Sequence, residues 1–190
     1  MVRQAAVAPG RVREVLRRVA QLPHPRVVEV GVWRGDMSAA LLRGNIELQL
    51  LMVDPWEDPL TQPPIRKIGR QPTQDELYRR AVNVTAWAAE RREVLQMRSV
   101  DAAALMAVQS RRFDLVFIDG DHSYEAVRAD IAAWAPLLEP GGWLGGHDYY
   151  DAGTPGVRMA VDEAVREHGW KLERGQDATW WVRIPGGSEW

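Results

Sequence analysis

Short apolar runs that alternate with helical segments, each run stopping at glycine or a polar residue, set the strongest limit on how this chain folds. The runs fall at 26–31, 48–53, 93–97, 114–118 and 143–147. Helical periodicity occupies 38–43, 73–92, 101–109, 124–138 and 157–167 between and after them, and an amphipathic segment at 11–21 comes first. Proline or glycine ends several of these segments: Pro23 and Pro25, Pro140 before the Gly141-Gly142 turn, and Gly169. Two further strands are expected at 170–173 and 179–184. Such alternation predicts βα units building a parallel sheet covered on both faces, with right-handed crossovers and ligands beyond the strand C-termini. The polar residues of interest sit at those ends: Glu29 and Gly31, Asp54, Ser99, Asp119 to His122, and the His147-Asp148 pair.

Composition narrows the function classes. A chain of 190 residues reads as a single domain, 1–190. Its 24 basic and 26 acidic residues leave a net charge of −2, without the global positive field of a nucleic-acid binder. With no cysteine, disulfides, zinc–thiolate sites and thiol nucleophiles are excluded. No apolar run nears the roughly 20 residues of a membrane span. The N-terminal segment lacks a signal-like apolar stretch, so a cytoplasmic location without membrane or nucleic-acid partners is the expectation. The Pro-rich stretch 55–72 carries Pro55, Pro59, Pro63, Pro64 and Pro72; its length on the ligand side of the sheet reads as a lid or wall.

The first strand–helix turn reads Glu29-Val30-Gly31-Val32-Trp33-Arg34-Gly35. The dinucleotide fingerprint needs a middle glycine so that the backbone can approach a pyrophosphate. Trp33 in that region argues against a diphosphate and suits a ligand with a small zwitterionic tail. The helix N-terminus can take its carboxylate, and Glu29 can face its ammonium or sulfonium. Gly31, Val32, Trp33 and Gly35 are therefore expected to line a cofactor. Asp54, closing the second strand, has the place of an acid that accepts both ribose hydroxyls. Trp56 either walls an adenine or packs the lid, and Ser99 either reads an adenine edge or caps the following helix.

These segments together resemble class I S-adenosylmethionine-dependent methyltransferases over nearly the whole chain. The resemblance is carried by EVGVWRG (29–35), VDPW (53–56), DLVFIDGDHSYE (114–125), PLLEPGGWLGGHDYYD (136–151) and the Trp-rich ATWWVRIP (178–185). It is strongest to small-molecule, metal-dependent O-methyltransferases of the catechol and macrolide-sugar type. It implies an α/β, Rossmann-like sheet of seven strands, mostly parallel with an antiparallel last strand, and helices on both faces. S-adenosylmethionine is the implied cofactor, with Asp119 among the residues lining it. Trp33 departs from the family's commoner glycine at this turn.

The resemblance also implies a metal held by Asp119, His147 and Asp148, and places His122 where such enzymes keep a general base. An all-oxygen donor set would favour Mg²⁺, whereas an imidazole shifts preference toward Mn²⁺ and later metals. His147 can alternatively stand behind the ligands or face the acceptor. With an ordinary pKa near ~6.5, His122 can take a hydroxyl proton at neutral pH. The expected reaction is methyl transfer to a hydroxyl of a small-molecule acceptor. Other readings are a metal-independent O- or N-methyltransferase, a non-catalytic cofactor-binding scaffold, or an iron oxygenase with His122, His147 and Asp119 as ligands. A homo-oligomer is compatible with all of them.

Overall fold

A computed structural model describes residues 9–57 and 71–186; most of the Pro-rich stretch thus lies outside the described residues. The strands are β1 (Arg26–Val30), β2 (Gln49–Val53), β3 (Arg92–Leu95), β4 (Phe113–Ile118), β5 (Leu138–Gly146), β6 (Leu172–Arg174) and β7 (Trp180–Arg183). The helices are α1 (Gly10–Val19), α2 (Asp36–Gly44), α3 (Gln74–Val84), α4 (Ser99–Val108), α5 (Tyr124–Trp134) and α6 (Pro155–His168). All seven strands form one sheet in the order β3-β2-β1-β4-β5-β7-β6. β7 runs antiparallel to β5 and β6, and the other pairings are parallel. The expected doubly covered, mostly parallel sheet is what forms.

Strand periodicity divides the core. Val27, Leu50, Met52, Leu115, Phe117 and Trp181 point to one face and meet buried residues of α1, α2 and α3. Their neighbours Val28, Leu51, Val53, Val116, Ile118 and Trp180 point to the other and meet α4, α5 and α6. Consecutive strand residues facing opposite ways explain why the runs are apolar without alternation. The two large indoles of β7 fit because Gly145 pairs with Trp181 and Gly146 with Trp180 across the sheet. A Cβ at Gly145 would stand 2.1 Å from the Trp181 ring.

Three elements differ from the expectation. The helix expected at 124–138 ends at Trp134, and a 3₁₀ segment, Ala135–Leu137, leads into β5 at Leu138. The helix expected at 73–92 ends at Val84, and a 3₁₀ segment, Ala86–Arg91, leads into β3. Buried Thr85 turns its hydroxyl back onto the Ala81 carbonyl, 2.8 Å away, a bond that competes with helix continuation. Gly141 and Gly142 do not form a separate turn. β5 passes through them with a register irregularity against β4, and their backbone groups pair with Ile184. Among the described residues no helix is long and apolar enough to cross a membrane.

Candidate active site

The C-terminal ends of β1, β2, β4 and β5 bring the predicted residues into two adjoining groups. The first is the β1–α2 turn. Gly31 has φ +87°, and a Cβ there would lie 2.1 Å from the Asp119 carbonyl oxygen, so only glycine fits between this turn and the end of β4. Gly35, at φ +76°, is the N-cap of α2. Between them Trp33 is held at φ +51° and stays exposed, with the Arg34 guanidinium 4.1 Å from its ring centroid.

Asp54 imposes that conformation. Its Oδ2 accepts the backbone N–H of Val32 at 2.9 Å and of Trp33 at 2.8 Å, while Oδ1 accepts that of Trp56 at 2.7 Å. Trp56 then donates its indole N–H to the Trp33 carbonyl at 2.9 Å and packs edge-on against Tyr78, buried from solvent. Beneath the turn, Glu29 is buried and accepts the Ser38 hydroxyl at 2.5 Å. Burial pushes its carboxyl up to about 8, with the negative charge of Asp119 acting in the same direction.

The second group is the acid–histidine cluster. Asp119 follows β4, its N–H bonded to the Val30 carbonyl at 2.7 Å; His147 follows β5, its N–H bonded to Ile118 at 3.1 Å. These backbone bonds bring the two strand ends together. His122 Nε2 lies 3.0 Å from Asp148 Oδ2 and 3.6 Å from Asp119 Oδ1. His147 Nδ1 lies 2.9 Å from Asp148 Oδ1 and 3.8 Å from Asp119 Oδ1. Hydrogen-bonding and charge from Asp119 and Asp148 raise His122 to about 10 despite its burial. Burial depresses His147, but Asp148 and Asp119 outweigh it and leave its pKa raised. The same two imidazoles, His122 foremost, hold Asp148 well below the usual carboxylate range.

The cluster has the chemistry to hold a cation. Donor atoms of Asp119, His122 and Asp148 all lie within 4.8 Å of one another. Buried His122 Nε2 makes no well-aligned hydrogen bond despite its carboxylate neighbours, so a lone pair is available once it loses its proton. His147 stands beside this trio, against Asp148. Nearby Asp121 does not join the trio; its Oδ1 accepts the Ser123 N–H at 2.8 Å where α5 begins.

Ser99 makes no hydrogen bond to either group. It begins α4 rather than capping it, and its hydroxyl accepts the Trp134 indole N–H at 2.8 Å. It also bonds to Asp130, whose pKa burial raises to about 6. Two site neighbours escaped the sequence reading. Arg11 of α1 approaches Asp119 and His147, and Asp177, from the β6–β7 turn, lies 3.8 Å from His147 Nε2. Arg11 lies on the polar side of an amphipathic helix, a pattern that otherwise marks a solvent face, and Asp177 lies in an ordinary turn.

Comparison with known proteins agrees with this arrangement. Residues 28–149 match the family model of a methyltransferase domain. A search of curated protein sequences returns no match. Among solved structures, CalS11, a TDP-rhamnose 3′-O-methyltransferase of calicheamicin biosynthesis, is similar with a TM-score of 0.65 at 16% identity, over 91% of this chain and 77% of that one. TomG from Streptomyces achromogenes, an O-methyltransferase of tomaymycin synthesis solved with S-adenosylmethionine, aligns over 95% of this chain and 82% of its own, with a TM-score of 0.63 and 20% identity. The O-methyltransferase NovP gives a TM-score of 0.63 at 19% identity, over 92% of this chain and 78% of that one. The chain belongs to the methyltransferase-domain family and is an S-adenosylmethionine-dependent methyltransferase.

Proposed function

We propose that this enzyme methylates a hydroxyl of a small-molecule acceptor, assisted by a divalent metal, Mg²⁺ or Mn²⁺. The observation that carries the reading is the convergence of Asp119, His122 and Asp148 beside the glycine turn, on strand ends tied by backbone bonds.

The turn is the cofactor side. S-adenosylmethionine, when bound, supplies an electrophilic methyl on a sulfonium and leaves as S-adenosylhomocysteine. Gly31, Val32, Trp33 and Gly35 give it the tight turn between β1 and α2, and the start of α2 offers N–H groups to its carboxylate. Asp119 supplies negative potential for its cationic end, while Glu29, kept neutral by burial, braces the turn from beneath through Ser38. Asp54 serves this site by fixing the turn, and its remaining acceptor capacity is available for ribose hydroxyls. Trp56 supports the same surface from behind. A role for Ser99 at the adenine would require it to exchange its bond to Trp134.

Asp119 and Asp148 would hold the metal, with His147 as the neighbouring nitrogen donor. The metal would lower the pKa of an acceptor hydroxyl by its charge. His122 is the proton-accepting group. In the free protein both acids hold a proton on it. Any cation that engages those carboxylates weakens that hold and brings His122 toward the range of a base at neutral pH. The protein otherwise contributes orientation and charge neutralisation. A second reading dispenses with the metal: Asp148, 3.0 Å from Nε2, would orient His122, which would act as base only where the proton held by the two acids has been lost.

Release of S-adenosylhomocysteine from purified protein with catechols and sugar hydroxyls, before and after chelation, tests both readings. Turnover that collapses with EDTA and returns with Mg²⁺ or Mn²⁺ supports the first. Full turnover in metal-free protein would favour the second. No turnover on any hydroxyl acceptor, alongside turnover on amines, would overturn O-methylation.

A further inference from the structure

The N-terminal helix delivers a permanent positive charge to the acid–histidine cluster, and the methyl-transfer scheme leaves it unused. Arg11 Nη1 lies 3.3 Å from His147 Nε2 and 3.7 Å from Asp119 Oδ2. The Asp119 contact is the guanidinium's one ion pair among the described residues, and it is too long for a hydrogen bond. The buried Nε has no partner. Arg11 therefore faces the cluster as a charge more than as a well-bonded structural group.

Its position is built in. Val12, Val15 and Val19 bury one face of α1 in the core. Glu14, buried on the same helix, pairs with Arg17 and Arg18, and the Arg18 guanidinium stacks 3.9 Å over Trp181 and 4.8 Å over Trp143. Arg13 donates to Gln176 Oε1 at 2.6 Å, and the Arg11 backbone N–H reaches Asp177 Oδ2 at 3.4 Å. A Cβ on Gly10 would lie 2.7 Å from Asp177 Cβ, so the start of α1 lies tightly on the β6–β7 turn. None of these anchors uses the Arg11 side chain.

We propose that Arg11 is an intrinsic competitor for the divalent cation: its guanidinium occupies the electrostatic field of Asp119, so the position of α1 sets the metal affinity of the site. The inference rests on the metal-assisted reading. An arginine stays charged at every working pH, so the competition cannot be relieved by a proton. A divalent ion at Asp119 must either sit close to this charge or displace it, and either outcome weakens binding.

Mn²⁺ titrated calorimetrically into metal-stripped, full-length protein, without cofactor or acceptor, provides the test. Arg11→Met should tighten Mn²⁺ binding about tenfold or more, while Arg11→Lys, which keeps the charge, should stay near wild type. Arg11→Gln serves as a second charge-removing variant should the methionine variant melt early, and its affinity should rise in the same way. Wild type that binds Mn²⁺ with variants no tighter, or weaker, would overturn the competitor role and leave the metal site standing. Mn²⁺ binding to neither wild type nor variants would overturn the metal reading itself, and this inference with it.

Discussion

The two halves of the site handle their charges in opposite ways. In the β1–α2 turn, Asp54 spends its carboxylate on three backbone N–H groups and Glu29 is neutralised by burial, so the local polar groups are already answered from within. In the cluster, two acids, two imidazoles and one guanidinium crowd together with shifted protonation, and one imidazole nitrogen has no aligned partner. The turn is preorganised by its own bonds and ready to receive a ligand of fixed shape. The cluster's charges answer one another rather than the backbone, so their protonation responds to whatever charge enters beside them.

That contrast can be broken from either side. The largest effect should come from Gly31→Ala, because this residue separates the two halves. A left-handed alanine whose Cβ meets the Asp119 carbonyl combines backbone strain with overpacking, a loss of about 3 kcal/mol or more in urea unfolding, with S-adenosylhomocysteine binding abolished. Next comes His122→Ala, which should lower turnover by about 10²- to 10⁴-fold while leaving S-adenosylhomocysteine affinity within about threefold. Unchanged turnover would remove His122 as the proton acceptor. Asp54→Ala should do the reverse, weakening S-adenosylhomocysteine by about tenfold or more in calorimetry, since a charged acceptor of three N–H groups is lost from the turn. Unaltered affinity would refute its part in the cofactor side.

A further test is the pH dependence of stability at Glu29. Its folded pKa, about 8, lies above the ordinary value of 4.5, so the folded state binds this proton more tightly than the unfolded chain. The resulting stability is fully present below about pH 4.5 and is lost as pH rises toward 8. Glu29→Gln mimics the protonated form and should reduce the fall in Tm between pH 5 and pH 8. Parallel Tm profiles for variant and wild type would contradict the assignment.

Much of this was legible in the sequence because it is written in local pattern. Apolar runs ending at Glu29-Val30-Gly31, Val53-Asp54 and Ile118-Asp119 located the strand ends, and the sheet topology carried the rest of the acid–histidine cluster into contact. What stayed hidden depends on contacts between distant segments. The engagement of Asp54 by the turn's own N–H groups follows from the left-handed backbone at Trp33, a conformation that a tryptophan does not advertise. The hydroxyl of Ser99 reads as a cap or a ligand group until α5 brings Trp134 and Asp130 against it. Arg11 lies on a helix whose polar side looks solvent-facing until Glu14 and Arg18 dock it against the β6–β7 hairpin.

The claim that the chain's own bonds form the cofactor side without a metal is tested most directly by titrating S-adenosylhomocysteine into protein stripped of metal with EDTA. The account predicts saturable binding at one molecule per chain. Absence of binding until a divalent metal is restored would contradict it, because the cofactor side would then depend on the ion.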